Sequence, residues 1–228
     1  MTFKEFTKEL NGNRVEGELL KTVFYSLLTS VIFLAAVYYF KLREISDFIP
    51  KYGLFIFLAA LSYAIITPAI RQVCAYKEFL CMGGMMIGMT LGMVAGFLPS
   101  FYVGATNGIF VGSVFGMIVG IALGVWSGKS CGVMGAMEGM MAGFMGGLMG
   151  GMTAIMMLND HLKAMSIIVF VVCAVITLGL NFMIYKETKE SERQLKEDHM
   201  FTVVLTLLLI AATTWLIVFG PRSALFGG

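Results

Sequence analysis

Residues 81–157 read CMGGMMIGMTLGMVAGFLPSFYVGATNGIFVGSVFGMIVGIALGVWSGKSCGVMGAMEGMMAGFMGGLMGGMTAIMM. Glycine recurs at every fourth position through this stretch, in three rows. Gly84, Gly88, Gly92 and Gly96 form the first, and Gly104, Gly108, Gly112, Gly116, Gly120, Gly124, Gly128 and Gly132 the second. Gly135, Gly139, Gly143, Gly147 and Gly151 form the third, and 15 of the chain's 19 methionines lie among them. Glycines four apart neighbour one another on a helix surface, and without a Cβ they let a second backbone come close. That is how helices associate in lipid, where no hydrophobic effect drives them together. In water each such glycine would cost a helix about 1 kcal/mol relative to alanine. The stretch reads as membrane protein.

The rest of the composition agrees. A chain of 228 residues that is 58% hydrophobic and only 13% charged, with mean hydropathy +0.87, is no ordinary soluble domain. A net charge of +2 without a large basic cluster gives no reason to expect a nucleic-acid partner. Four cysteines without CxxC spacing argue against a disulfide framework. The polar and charged residues before the first apolar run, with no small-residue cleavage site, do not fit a signal peptide. Residues 1–21 are expected to form an N-terminal segment at the membrane surface. In it Phe3, Phe6 and Leu10 share a helical face that ends at Asn11-Gly12-Asn13.

Residues 22–220 are expected to form a single polytopic domain in an all-α integral membrane protein. Apolar runs long enough for a hydrocarbon core of about 30 Å predict seven spans, at 23–40, 53–70, 80–98, 101–126, 131–157, 165–185 and 200–220. The joints after the third and fourth spans, Pro99-Ser100 and Ser127–Ser130, are short, so three glycine-rich helices should pack as consecutive antiparallel neighbours. A row advancing about 40° per four residues drifts by roughly 280° from Gly104 to Gly132. It cannot face one neighbour throughout, which predicts a central fourth span with the third and fifth as partners at opposite ends. Lys and Arg number 11 on the side holding the N-terminus, 71–79, 127–130 and 186–199, against 5 on the other. This places the N-terminus in the cytoplasm, with the protein in the plasma or inner membrane.

The fifth span divides into two faces. With Met137 at 0°, Met141 falls at about 40°, Met134 and Met152 at 60°, Met145 at 80°, Glu138 and Met156 at 100°, and Cys131 and Met149 at 120°. Its row glycines fall between about 160° and 320°. On the third span Met82, Met85, Met86, Met89 and Met93 share a broad face with Cys81 near its cytoplasmic end. Glu138 is the one acidic residue inside a predicted span. A carboxylate there costs at least about 2.5 kcal/mol at the bilayer centre, and such groups usually face the bundle interior beside a partner. Its bland reading is a structural carboxyl bonded to a backbone carbonyl.

Thioether and thiolate are the ligands that select Cu(I) over harder cations. Methionine also fills irregular gaps between helices, which is the competing reading. Leucine would serve that purpose equally, yet it is scarce between 81 and 157. Cys81, Met85, Met89, Met93, Cys131, Met134, Glu138, Met141, Met145, Met149, Met152 and Met156 are therefore the candidate ligands. The two cysteines would form the inner end, facing a cytoplasmic metal acceptor. Cys173, mid-span, reads as a small apolar residue, and Asp160-His161 as a solvated turn or an outer collecting point. No nucleophile elbow, phosphate-binding loop or HExxH is present, so an enzyme is not expected.

Met137-x-x-x-Met141 beside the glycine rows resembles the ingredients of the high-affinity copper-uptake trimers. There MxxxM supplies ligands and a GxxxG helix makes the close contacts. The resemblance is one of motif style, and span count and chain length differ. The leading expectation is a protein that binds or transports a soft cation, Cu(I) first. The alternatives are a structural or assembly subunit, or a channel or carrier for another small cation or protons through Glu138. In the assembly reading the glycine rows hold other copies or partners in the bilayer, and methionine is filler.

Overall fold

Seven helices, each long and apolar enough to cross a membrane, follow one another along the chain. They are α1 Val15–Phe40, α2 Leu54–Cys74, α3 Cys81–Asn107, α4 Ile109–Gly128, α5 Gly132–Met156, α6 Leu162–Thr188 and α7 His199–Phe219. This computed structural model describes residues 15–40, 52–76, 81–129, 132–188 and 199–221, and among them there is no strand. The fold class and the seven spans are as the hydropathy pattern predicts. The expected surface break at 11–13 and Cys131 both lie outside the described residues. The first helix starts at Val15, eight residues before its apolar run.

The joint after the third span is not where the sequence suggests. Pro99 does not end α3, which runs on through it to Asn107. A proline removes one backbone hydrogen bond, a loss that membrane helices tolerate when neighbours compensate. Here the residues beyond it make continuation worthwhile, since Phe101, Tyr102 and Val103 are completely buried. The chain reverses at Gly108 instead, with φ 95°, a left-handed conformation that side chains with a Cβ resist. Gly108 is both the end of α3 and the N-cap of α4. Its N–H donates to the Gly104 carbonyl at 3.1 Å, and its own carbonyl accepts from Gly112 N–H at 3.1 Å. The Asn107 amide Nδ2 donates to the Leu216 carbonyl at 2.6 Å, which ties this corner to α7. The corrected fourth span, Ile109–Gly128, is 20 residues long, or about 30 Å of helix, just enough for the hydrocarbon core.

With the joint moved, the second glycine row splits. Gly104 belongs to α3, Gly112 to Gly128 belong to α4, and Gly132, φ 75°, opens α5. The three helices then meet in five layers. Gly88, Gly128 and Gly135 form the first layer, Gly92, Gly124 and Gly139 the second, and Gly96, Gly120 and Gly143 the third. Ser100, Gly116 and Gly147 form the fourth, and Gly104, Gly112 and Gly151 the fifth. Helices α3 and α5 run parallel, with α4 antiparallel to both. Each α3 position meets the α5 position 47 residues later, as 88 with 135 and 104 with 151. Backbone touches backbone throughout. A Cβ on Gly92 would come 2.7 Å from the Gly139 carbonyl oxygen, and one on Gly96 would come 2.8 Å from that of Gly143. The α4 row meets both partners in every layer rather than one at each end. A repeat longer than 3.6 residues keeps such contact when the helices coil right-handedly, the sense of GxxxG crossings.

The central helix is α3, not the fourth span. It alone packs against α2, α4, α5, α6 and α7, whereas α5 packs only on α3 and α4 among well-contacted neighbours. The reason is asymmetry in the α3 surface: the glycine rows occupy one side, and Ile87, Leu91, Val94, Leu98 and Tyr102 bury the other against α2, α6 and α7. Polar bonds rivet the outer helices. Ser62 and Tyr102 hydroxyls lie 3.0 Å apart, Arg71 donates to the Thr22 hydroxyl at 2.9 Å, and Gln72 Nε2 donates to the Asn181 carbonyl at 3.4 Å.

Ser100 is the one residue of the fifteen in the layers that is not glycine, and its hydroxyl donates to the Gly147 carbonyl at 2.5 Å. Interhelical bonds of this kind average about 0.6 kcal/mol in membranes and reach about 1.7. Ser100→Ala is expected to keep the fold and lose stability within that range, read from unfolding of the purified protein in mixed micelles.

Candidate methionine surface

The glycines of α5 decide where its methionines point. Gly135, Gly139, Gly143, Gly147 and Gly151 are buried against α3 and α4, together with Ala142, Gly146, Gly150 and Ala154. The opposite face carries Met134, Met137, Met140, Met141, Met145, Met149, Met152 and Met156, each between 46% and 74% exposed on the single chain. The two-faced reading of this helix is thus what the structure shows, with one addition. The methionine face looks out of the bundle.

Glu138 is exposed on the same face, and among the described residues no hydrogen bond or ion pair holds it. It does not face the bundle interior, and it has no carbonyl partner of the kind its bland reading requires. By helical geometry Glu138 and Met149, at about 100° and 120°, lie beside Gly146 and Gly150, at about 180° and 220°, which pack on the α3 backbone. The surface therefore continues onto α3. There Gly146 and Gly150 lie over the Met93 and Phe97 carbonyls, and Met82, Met86, Met89 and Met93 are exposed while Met85 is half-buried.

Beyond α3 the surface ends in a groove of about 460 Å³ against α6, and four of its lining side chains carry sulfur: Met89, Met93, Met165 and Cys173. Sequence reasoning set Cys173 aside and did not consider Met165. Their spacing of eight residues, close to two helical turns, was the signal that they share a face. Of the candidate ligands, Met89 and Met93 reach this groove, and Met134, Glu138, Met141, Met145, Met149, Met152 and Met156 lie along α5. Cys81 opens α3 at the end of the bundle where α4 closes and α5 begins.

The exposed faces of α6 and α7 are made differently. Exposed positions on α6 are Ile167, Ile168, Val171, Val172, Val175, Ile176 and Leu178, and those on α7 include Val204, Leu207 and Leu208. Branched aliphatic side chains predominate on α6 and on the middle of α7, whose ends also expose Met200, Trp215 and Phe219, whereas methionine predominates on α5 beside Val133 and Phe144. Methionine fills few gaps inside the chain: none among the described residues is fully buried, and only Met165 and Met183 pack, half-buried, against the core. The spaces between α3, α4 and α5 are closed by glycine backbone, so the glycine rows are used up within the chain.

Other polar groups do not form a competing centre. Among the described residues no three of His, Cys, Asp and Glu gather as a metal site would require. Asp160 and His161 sit 3.9 Å apart in the turn after α5, both well exposed, as a solvated pair would. Gln72 and Asn181 are buried where α2 meets α6, and their side-chain oxygens lack partners. No family model, curated protein or solved structure matches this chain.

Proposed function

We propose that this polytopic membrane protein binds a soft monovalent cation, Cu(I) first, on the methionine surface of α5 and α3, and moves it along that surface. One observation supports the reading above the others: its exposed methionines are confined almost entirely to one continuous face, mounted on a rigid glycine core and sharing it with Glu138. Successive thioethers at three- and four-residue spacing hold a cation such as Cu(I) weakly and repeatedly, which suits passage from site to site. The carboxylate offsets the cation's charge where lipid cannot. Cys81 opens α3 at the end that the basic residues assign to the cytoplasm, where a thiol-bearing acceptor would receive the ion; Cys131, the second thiol expected there from the sequence, lies outside the described residues. The role is binding and transfer, without catalysis.

The assembly reading draws on the same exposure, because a face unlike the lipid-facing helices also suits a partner. Metal content separates the two. Protein purified after exposure to Cu(I), or to Ag(I) as its mimic, is expected to retain the metal through gel filtration against a weak Cu(I) chelator. Elemental analysis showing no retained metal would overturn the proposal.

A further inference from the structure

The groove of about 460 Å³ between α3 and α6 brings sulfur together from two helices, which the α5 face by itself does not. Its walls run in opposite directions across the membrane, so depth decides which of its sulfurs can share an ion. Cys173 lies eleven residues into α6 and Met93 twelve into α3, each helix being 27 residues long. By helix rise they sit about 17 and 18 Å from opposite ends of helices of about 40 Å, near the middle of both. Val94, next to Met93, also lines a narrow gap together with Cys173, which sets Met93 and Cys173 at one level. Met89 follows one turn away on α3, about 6 Å toward the cytoplasmic end. Met165 is eight residues from Cys173, about 12 Å along α6, two turns outside the pair.

We infer that Cys173 and Met93, with Met89 one turn away, form a discrete site for one Cu(I) ion in this groove, where an ion carried along the methionine surface comes to rest. Among the described residues the groove offers sulfur and little else. Its one hydroxyl, on Thr90, donates to the Met86 carbonyl at 2.7 Å, and no carboxylate, imidazole or amide side chain lines it. A hard cation would lose its water there and gain no oxygen in return, whereas thioether and thiolate suit Cu(I). Cys173 adds what the α5 methionines lack. On binding Cu(I) its thiol gives one proton to the water that the ion sheds. One positive charge enters and one leaves, copper stays Cu(I), and the thiolate–Cu(I) unit is neutral. That form can rest in an apolar layer, where a net charge is costly and a divalent ion would keep one. Met89 and Met93 are exposed and flexible, so both can turn onto the ion. On the soft-cation role proposed above, on which this site depends, the α5 thioethers pass the ion and the α6 thiolate holds it. Because both sulfurs lie mid-span, the ion reaches them along those methionines rather than from water.

The test uses the purified full chain, loaded with one equivalent of Cu(I), or of Ag(I) as its mimic, against a competing chelator. Cys173→Ser and Cys173→Ala are expected to weaken binding by more than the about 10–100-fold that losing a supporting residue costs a metal site. X-ray absorption at the copper edge is expected to show a thiolate sulfur in the unaltered chain and thioether alone in both variants. Met93→Leu should weaken binding and keep the thiolate, and Met165→Leu, two turns away, should change neither. Undiminished affinity in the Cys173 variants, or a thiolate still bound to their copper, would overturn the site and leave the soft-cation role standing. An unaltered chain that retains no copper would overturn both. Should the Cys173 variants fail to fold, Met93→Leu decides, since that exchange nearly conserves volume, and unchanged affinity in it would overturn the site.

Discussion

Gly143→Leu should break the three-helix core. A side chain at this position would enter the α4 backbone at Gly120 and Ile121, where nothing is the movable end of a flexible group. Overpacking an ordinary core costs about 1–3 kcal/mol because side chains can shift. Here whole helices must separate, and the layers above and below lose contact with them, so the loss should exceed that range. The control is Gly179→Leu on α6, where an added Cβ meets nothing within 4 Å. It removes a glycine from a helix interior and should leave stability unchanged or raise it by up to about 1 kcal/mol. Thermal unfolding of both variants in detergent is the measurement. Equal, small effects would mean the glycine layers do not hold the bundle together.

The second large effect is on metal and should leave the fold alone. Met141, Met145 and Met149 are half or more exposed on the single chain, and leucine nearly conserves their volume. Such apolar exchanges usually cost less than about 1.5 kcal/mol each, and at exposed positions less again. A combined Met141→Leu, Met145→Leu and Met149→Leu variant therefore should fold, insert and run as the parent does. It removes every thioether along two turns of the α5 face, so Cu(I) retention and copper uptake by cells should fall to the level of a strain without the protein. A stable triple variant with unchanged copper handling would end the soft-cation reading and favour assembly, where only shape matters.

Much of this architecture can be read from spacing. Period-four glycine and hydropathy identify seven spans and three closely packed helices, and the 100° step sorts α5 into a glycine face and a methionine face. What spacing cannot supply is the direction a face looks. In water an apolar face turns inward, but in lipid both sides are apolar, so the Met134–Met156 face could as well have lined an interior path. The misplaced joint has a different cause. Pro99 is the stronger breaker in general, yet Asn107-Gly108 carries the turn, because a glycine can take positive φ while a buried membrane helix tolerates one missing N–H. The central helix was missed because counting glycines weights α4, while burial depends on the aliphatic side of α3. The Met165 and Cys173 contribution was hidden for a related reason. Joining them to Met89 and Met93 requires knowing that α6 packs beside α3.

The five layers also make the core intolerant of changes in length. One residue inserted in the middle of α4 would turn everything beyond it by about 100° and shift it by 1.5 Å, presenting Val119, Leu123 and Ser127 where α3 and α5 offer only backbone. The single-residue corner at Gly108 has no slack to absorb the shift. Four inserted residues would turn the helix by only about 40° and advance it by about 6 Å, one layer, so that each glycine beyond the insertion takes the place of the next glycine along. Between Gly88 and Gly151, then, the chain is ruled in units of four, and insertions or deletions within α3, α4 and α5 should be accepted in that unit or not at all.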